Sequence, residues 1–382
     1  MKAMTRYSFP FLVLGWLLLV FIQPAKANCS INAPTVTTPM PLQLGSFTVG
    51  ADLADGTVLY KQTYNLNYQP GGGHWIQVNC TTDNQIMANY SFTQTPLPLS
   101  SWGGGTLSGK VYETGVPGIG VYFGQGTNGS YGTVIPLSKP AAYQPNGNNG
   151  EFNCSSANCL VIGQFKRWDV YFIKTGQVSP GTIIGGNLPC IGVNYTNGIN
   201  SSENQVANIC MTGALNVVAS TCKTPDVTVP MGNYDVSSFS GKGSATKWVN
   251  ASIKLTDCPV YYGHGSSGSW YADASGTNNS GTPTKNALTV RLTPATTVIN
   301  SSQGIFGLTP TTDSAGGAAI QLAYGSSASP EFVDFGTTKK YEMDIGSTGI
   351  SEIPLVARYI QTDTKVTPGM ANSAVTFLIN YY

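Results

Sequence analysis

Few residues of this chain carry the chemistry of a hydrolase. The sequence contains two histidines, His74 and His264, and both stand next to glycines, which predicts exposed loop positions. A catalytic triad needs a histidine held between a nucleophile and an acid, and no G-x-S-x-G, H-E-x-x-H or P-loop motif occurs. Glu113 and Asp169 are candidate carboxylates for glycoside hydrolysis, but nothing in their spacing singles them out. We therefore expect a protein that is not an enzyme and that uses neither a cofactor nor a metal ion.

Aromatic and polar side chains on loops are better suited to binding sugars. Trp102 lies in Ser100-Ser101-Trp102-Gly103-Gly104-Gly105, where flanking glycines predict a loop with little to bury the ring. The alternative is that Trp102 packs over the edge of a sheet. His74 and Tyr131 are further candidates for ligand binding. Trp168, in contrast, falls within a predicted strand and is expected in the core.

The eight cysteines all follow the first 27 residues. An even number of cysteines in an exported chain indicates disulfides, although eight cysteines allow 105 pairings in principle. Their order along the chain suggests four pairs: Cys29–Cys80, Cys154–Cys159, Cys190–Cys210 and Cys222–Cys258. Zinc is disfavoured because the sequence has no paired C-x-x-C ligand set.

The N-terminus has the pattern of a secretory signal peptide. Lys2 and Arg6 precede an uncharged apolar run, and Ala25-Lys26-Ala27 matches a cleavage site. We expect residues 1–27 to be removed, so that the mature chain starts at Asn28. An anchoring helix is the alternative, but the apolar run is short for a membrane span.

Composition favours strands over helices. Charged residues make up only 10% of the chain, which contains 45 glycines, so long amphipathic helices would lack charged outer faces. We predict an all-β fold of two immunoglobulin-like, Greek-key β-sandwich domains, residues 28–220 and 221–382. The net charge of +1 gives no reason to expect nucleic acid as a partner.

Several alternating segments predict strands in each domain. In the first domain these are Trp75–Cys80, Phe165–Lys174, Leu215–Ala219 and two strands around the turn within Lys110–Phe123. In the second they are Val227–Met231, Trp248–Leu255, Ala287–Leu292, Ala318–Leu322, Ile353–Tyr359 and Val375–Tyr381.

The last predicted strand is the most informative. Val375, Phe377, Ile379 and Tyr381 share one face, and no turn follows them. A half-buried strand of this kind needs a neighbour, because sheet edges are normally paired or protected. We interpret it as a strand that pairs with a strand from another protein. The alternative is that it pairs within a domain that is already complete.

These segments, taken in order, resemble the pilin domain of bacterial chaperone–usher fimbriae. The matching residues are the Cys222…Cys258 pair, Met231-Gly232, Phe239, the segments 315–322 and 353–359, Thr367-Pro368-Gly369, Phe377 and Tyr381. The resemblance covers residues 222–382 almost completely, whereas the first domain matches fimbrial adhesins only over short pieces.

The resemblance implies an immunoglobulin-like sandwich that lacks its last strand. A periplasmic chaperone would lend a strand first, and the adjacent fimbrial subunit would replace it after passage through an outer-membrane usher. Val375, Phe377, Ile379 and Tyr381 would line the acceptor groove. The C-terminal carboxylate, carried by Tyr382, would contact basic residues of the chaperone.

A shaft subunit also donates a strand, from an alternating extension before its first cysteine. The expected mature chain has only Asn28 before Cys29, and residues 28–220 take the place of that extension. This arrangement resembles a two-domain tip adhesin on the bacterial surface, whose first domain binds a host receptor, commonly a glycan. The alternatives are a non-adhesive structural or adaptor subunit and a secreted glycan-processing enzyme.

Overall fold

The computed structural model of this protein consists of β-strands joined by turns. It describes residues 29–31, 37, 39–66, 76–80, 86–125, 133–140, 152–155, 158–163, 166–197, 204–219, 221–265, 270–273 and 278–382. Within these ranges there is no α-helix, and the helical turns are the short 3₁₀ segments Gly105–Leu107, Gly185–Asn187 and Val236–Ser238. The all-β prediction is therefore confirmed. The predicted signal peptide, residues 1–27, lies outside the described residues.

The first part of the chain contributes seventeen of the described strands. They are β1 (Cys29–Ile31), β2 (Met40–Pro41), β3 (Ser46–Thr48), β4 (Val58–Leu66), β5 (Ile76–Cys80), β6 (Ile86–Gln94), β7 (Tyr112–Glu113), β8 (Ile119–Gln125), β9 (Leu137–Pro140), β10 (Phe152–Ser155), β11 (Asn158–Gly163), β12 (Lys166–Lys174), β13 (Gly181–Ile184), β14 (Cys190–Asn197), β15 (Asn204–Ile209), β16 (Met211–Thr212) and β17 (Ala214–Val218).

The second part contributes the remaining described strands. They are β18 (Val249–Asn250), β19 (Ile253–Lys254), β20 (Trp270–Asp273), β21 (Asn278–Asn279), β22 (Ala287–Pro294), β23 (Val298–Asn300), β24 (Ile305–Phe306), β25 (Ala318–Ser326), β26 (Ser329–Phe332), β27 (Lys339–Glu342), β28 (Glu352–Ile353), β29 (Leu355–Gln361) and β30 (Val375–Tyr381).

The first sandwich packs a six-stranded sheet against a four-stranded one. Their strand orders are β21-β20-β4-β12-β8-β7 and β15-β14-β6-β9. Because side chains alternate along a strand, one face of each sheet supplies the core. Tyr60, Tyr64, Phe123 and Trp168 come from the first sheet, and Tyr90 comes from the second. Three smaller sheets, β13-β17-β3, β16-β2 and β1-β5-β11-β10, belong to the same region.

The second sandwich is smaller and has two unequal faces. One sheet has the order β18-β29-β25-β24-β23, with β26 also paired to β25, and the facing sheet has the order β27-β22-β30. The pair β19-β28 adds a third short sheet. Leu288 and Val290 of β22 pack against Ile320 and Leu322 of β25 and Leu355 of β29. In this sheet order β30 is an edge strand.

The two hydrophobic cores are almost separate along the chain. The first runs from Met40 to Val217 and the second from Cys222 to Tyr381, except that Trp270 and Ala272 belong to the first core. We keep residue 220 as the proposed domain boundary.

Two predicted strands differ from those observed. Residues 227–231 form no strand, and Pro230 lacks the N–H that a ladder requires. The predicted strand Trp248–Leu255 is divided into β18 and β19, which pair with β29 and β28 on either side of Pro354. Since Pro354 cannot donate a hydrogen bond, the ladder is interrupted there. The predicted terminal strand matches β30, Val375–Tyr381.

Two of the four predicted disulfides are confirmed. Cys190–Cys210 and Cys222–Cys258 are bonded, with Cα atoms 4.3 Å and 4.1 Å apart. In the other two predicted pairs the backbones lie directly opposite each other, Cys29 on β1 facing Cys80 on β5 and Cys154 on β10 facing Cys159 on β11. Those two disulfides remain predictions.

Candidate functional site

The second sandwich is open along one side. A groove of about 840 Å³ runs between strand β30 and the extended segment 226–234. The buried core residues Ile320, Leu322, Leu355 and Ala357 line it. Apolar core side chains are thus reached from outside the sandwich, which is an unusual arrangement for a closed domain.

Strand β30 presents an unpaired edge to this groove. Tyr382 and Ala287 exchange both backbone hydrogen bonds, so by antiparallel alternation the even-numbered residues of β30 bond to β22. The N–H and C=O groups of Val375, Phe377 and Ile379 point the other way. Within the described ranges no hydrogen-bond partner is found for them. Such a row of free backbone groups is a template for an added strand.

The side chains of β30 follow the same alternation. Val375, Phe377 and Ile379 are half-buried against the second core, whereas Thr376 and Leu378 are exposed. The groove is lined by Val375 and Phe377. Ile379 and Tyr381, which were also predicted for the groove, lie further along the strand and are not among its lining residues, so their part in strand acceptance stays a prediction.

The opposite rim of the groove is tethered but forms no ladder. Cys222, at its start, is bonded to Cys258, and Lys223 and Thr256 exchange two backbone hydrogen bonds. Beyond that point Tyr234 meets Tyr359 edge-on, with ring centroids 6.0 Å apart. This rim is therefore anchored at its ends and leaves backbone available along the groove.

The end of β30 contacts the first sandwich. The Asp52 N–H donates to Tyr381 O at 3.0 Å, and the Tyr381 N–H donates to the Asp52 carboxylate at 2.8 Å. Gly50 packs so closely that an added Cβ would lie 2.6 Å from Tyr382 Cα. Tyr381 is buried and Tyr382 is partly exposed. Tyr381, predicted for the groove, and Tyr382, predicted to contact the chaperone, thus lie at the joint between the sandwiches, and both roles remain predictions.

Asn286 connects several backbone segments at this joint. Its amide oxygen accepts from the Gly263 N–H at 2.9 Å, and its Nδ2 lies 3.0 Å from Thr48 O and 3.3 Å from Tyr382 O. Nothing in the sequence distinguishes Asn286 from the many other asparagines, so sequence reasoning did not find it.

His264 is not the exposed loop residue that the sequence predicted. It is half-buried, and its Nδ1 lies 3.3 Å from Asn286 Nδ2. Asn286 Nδ2 can only donate, so this contact favours an unprotonated Nδ1. Burial lowers the pKa of His264 below its usual 6.5, because desolvation disfavours the imidazolium. His264 is therefore a half-buried residue that packs at the joint between the two sandwiches.

Trp102 combines features of both readings considered from the sequence. It is half-buried on the loop that precedes β7, and its backbone N–H donates to Ser100 Oγ at 3.3 Å. Its indole covers the backbone of Gly104 and lies near Gly56, where an added Cβ would be 3.5 Å from Cζ2. The ring therefore rests on glycine backbone. His74 and Tyr131, the other two candidates, lie outside the described residues.

The candidate carboxylates do not form a hydrolytic pair. Glu113 lies opposite Gly120 on β8, while Asp169 lies opposite Gly124 on the other side of the same strand. Four residues along the strands and two strand spacings separate their backbones by roughly 16 Å, more than the separation between the two carboxylates of glycosidases. Asp169 is also buried and accepts hydrogen bonds from Thr63 Oγ1 and Tyr171 OH.

The described part of the chain has neither a metal-binding cluster nor a membrane-spanning helix. No group of three or more histidine, cysteine and acidic side chains is placed to hold a metal ion. No helix there is long and apolar enough to span a membrane.

Comparisons with known proteins were made with the sequence and with the fold. Residues 209–382 match the family model described as "Fimbrial protein". Among proteins with curated descriptions, none matches the sequence. Three similar solved structures illustrate the likeness of fold, all at low identity.

The first is the receptor-binding domain of the plasmid-borne adhesin MrkD1P of Klebsiella pneumoniae, with 18% identity, 52% of this chain and 98% of that chain covered, and a TM-score of 0.33. The second is the CupB6 tip adhesin of Pseudomonas aeruginosa, with 14% identity, 92% and 94% coverage and a TM-score of 0.32. The third is the CsuC–CsuE chaperone–tip adhesion subunit complex of Acinetobacter baumannii, with 10% identity, 92% and 99% coverage and a TM-score of 0.22.

The family match begins before the predicted boundary at 221 and includes strands β16 and β17, which pair within sheets of the first sandwich. It covers the open groove, β30 and the Cys222–Cys258 disulfide completely. It also agrees with the resemblance carried by the ordered motifs of residues 222–382. The match to the fimbrial family model therefore covers the C-terminal end of the chain, residues 209–382.

Proposed function

We propose that this protein is a tip adhesin of a chaperone–usher fimbria. Residues 28–220 bind a receptor on a host surface, with a glycan as the expected class. Residues 221–382 join the fimbria by accepting a strand, first from a periplasmic chaperone and then from the adjacent subunit delivered by the usher. The protein passes through the periplasm and ends at the fimbrial tip.

The single observation that carries this proposal is the unpaired edge of β30 beside an apolar groove. An added strand would pair with the free backbone groups of Val375, Phe377 and Ile379, and its alternate side chains would cover the exposed core. Both gains are available together along this groove. The fimbrial family match over the same residues supports the proposal.

The position at the tip is supported by the segment that precedes the second sandwich. A shaft subunit would donate residues that precede the first cysteine of its pilin domain, here Cys222. In this chain those residues form β17, which pairs with β13 and β3 of the first sandwich. A strand that is already paired on both sides is not free to be donated, so the protein would accept a strand without giving one.

Receptor binding is assigned to the first sandwich, with Trp102 as the residue we would test first. An indole that rests on glycine backbone is held in place without a large side chain beneath it. A flat, partly exposed aromatic face of this kind suits the apolar face of a sugar ring. His74 and Tyr131 remain candidates.

Capture by the chaperone tests the groove. Phe377→Glu places a charge in the groove, whereas Leu378→Glu places the same charge on the opposite face of the same strand, where the side chain is 56% exposed. In co-expression with the periplasmic chaperone, we expect Phe377→Glu to abolish co-purification and Leu378→Glu to retain it. Equal capture of the two variants would contradict strand acceptance at this groove.

Receptor binding needs a separate test on the chaperone-bound full chain. A screen of immobilised glycans and matrix proteins should identify at least one ligand, and Trp102→Ala should reduce binding at least tenfold. Leu99→Ala, at an exposed residue of the same loop, is the control. If the wild-type complex binds nothing, the adhesive role is wrong and a non-adhesive tip or adaptor subunit is favoured.

A further inference from the structure

A segment of the second sandwich crosses into the first. The chain leaves the second sandwich after Tyr261, whose backbone bonds to Ser347, and returns at Ala287, where β22 begins. Between these points lies β20, which pairs in parallel with β4 of the first sandwich from Trp270 opposite Gln62 to Asp273 opposite Asn65. Without β20, the described edge of β4 would be open, since β12 occupies only its other side.

The side chains of β20 enter the first core. Trp270 is 7% exposed and stacks on Tyr60 with ring centroids 6.3 Å apart, and Ala272 is 2% exposed. Tyr60 is itself fully buried and also contacts Phe172, with ring centroids 5.6 Å apart. A core that includes a tryptophan from elsewhere in the chain is incomplete without it, because burying such a ring contributes several kcal/mol.

The excursion is also fastened at its base. His264 and Thr284 exchange two backbone hydrogen bonds of 2.9 Å, which close the two arms of the excursion. Gly263 O accepts from the Thr48 N–H at 2.9 Å, and the Tyr262 N–H donates to Thr48 Oγ1 at 2.9 Å. These bonds tie the base of the excursion to β3 in the first sandwich.

We propose that β20, Trp270–Asp273, acts as a built-in donor strand, which completes the first domain and makes its stability depend on the second. The dependence follows from connectivity, because the two arms that carry β20 leave the second sandwich at Tyr261 and return to it at Ala287. This coupling concerns the inside of one chain and is distinct from the groove, which faces other proteins.

One consequence for assembly rests on the proposed function. A strand that fills the groove stabilises the second sandwich by mass action. Through β20, the same event would stabilise the receptor-binding domain. The first domain would then reach full stability only when the protein is held by its chaperone or has been incorporated into the fimbria.

Peptide-resolved hydrogen exchange on the full chain, purified with its chaperone, tests the coupling. In Trp270→Ala we expect exchange in peptides from β4 and β12 to rise at least tenfold, while peptides from β25 and β29 exchange at the wild-type rate. Thr282→Ala, at an exposed residue of the same excursion, should leave all four strands unchanged.

Ala272→Gly provides a milder second variant in case the tryptophan variant does not fold. Loss of one buried methyl group and the added backbone freedom should raise β4 exchange about threefold to fivefold. Exchange of β4 within the error of wild type in the folded variants would overturn the inference. Chaperone capture is read separately through Phe377→Glu and Leu378→Glu, so failure of the coupling and failure of the groove are distinguishable.

Discussion

Strands β30 and β4 lie at comparable places in their sandwiches and have different surroundings. β30 forms the edge of its sheet, and from Val375 to Phe377 it lines a groove. β4 would form an edge in the same way if β20 did not pair with it. One sheet edge thus has no neighbouring strand within the described residues, and the other is covered by a strand from within the chain.

The exposure of side chains on the two strands follows the pairing of their edges. Tyr60 and Tyr64 of β4 are fully buried, whereas Val375 and Phe377 of β30 are only half-buried although they face a core of the same apolar character. Trp270 of the neighbouring strand β20 stacks on Tyr60, whereas within the described residues no strand lies beside the outer edge of β30. Four experiments test how far the two sandwiches differ.

The largest effect is expected from the disulfides. Serine at both Cys222 and Cys258 should lower the free energy of unfolding of the second sandwich by about 4 kcal/mol, because the cross-link spans 36 residues and holds a groove rim that has no ladder. The matched pair Cys190 and Cys210 spans 20 residues and should cost about 3 kcal/mol in the first sandwich. Denaturant unfolding followed by peptide-resolved exchange measures both. Wild-type stability of the Cys222/Cys258 variant would contradict the tethering role.

A side chain at Gly50 should separate the joint at the end of β30. Gly50→Val would bring carbon atoms into Tyr381 and Tyr382 backbone, and such overpacking costs about 1–3 kcal/mol. Thermal unfolding of the chaperone-bound chain measures the cost. Gly45→Val is the control, because no atom lies within 4 Å of an added Cβ there. Equal melting temperatures for the two variants would show that the joint is not closely packed in solution.

Acidification should weaken the joint through His264. The folded pKa is lowered by burial, so the folded state binds the proton less well than the unfolded state, whose pKa is about 6.5. Stability is therefore fully present above about pH 6.5 and falls as the pH drops toward the folded pKa. Melting curves between pH 8 and pH 5 should show a smaller decline for His264→Gln than for wild type. Identical pH profiles would exclude this linkage.

The smallest effects are expected from ion pairs. Lys174 of β12 has a side chain only 9% exposed and pairs with Asp55 at 2.6 Å. Asp55→Ala leaves that ammonium buried without its partner and should cost about 1 kcal/mol, a value reduced because Asp55 is itself half-exposed. Lys254→Ala breaks the exposed pair with Glu352 and should cost less than about 0.5 kcal/mol. Denaturant midpoints decide between the two, and a larger loss for Lys254→Ala would reverse the assignment.

Patterns that repeat along one segment were predictable from the sequence. The alternation of residues 375–381 matches β30 residue for residue, and the order of cysteines gave the Cys190–Cys210 and Cys222–Cys258 pairs. Low charge and many glycines indicated the all-β class. These properties depend on local periodicity and chain order, both of which a single sequence contains.

Contacts made across the chain were not predictable in this way. Trp270 fills the core of the first domain although it lies beyond Cys222, and four alternating residues are too few to indicate which sheet they join. His264 is half-buried and Asn286 is buried because the two sandwiches meet there. The glycines on either side of His264 predicted only an exposed loop. The alternation of Val227–Met231 predicted a strand, yet the described part of the chain holds no strand that pairs with it.

Strand β30 begins in the groove and ends beside Asp52 and Gly50 of the first domain. Tension drawn along a donor strand in the proposed fibre would run parallel to β30, so its hydrogen bonds to β22 would be loaded in shear and would resist together instead of opening one after another. Because Tyr381 is hydrogen-bonded to Asp52, that pull would reach the first sandwich through these contacts at the joint. Mechanical load and strand exchange would thus share one seven-residue element.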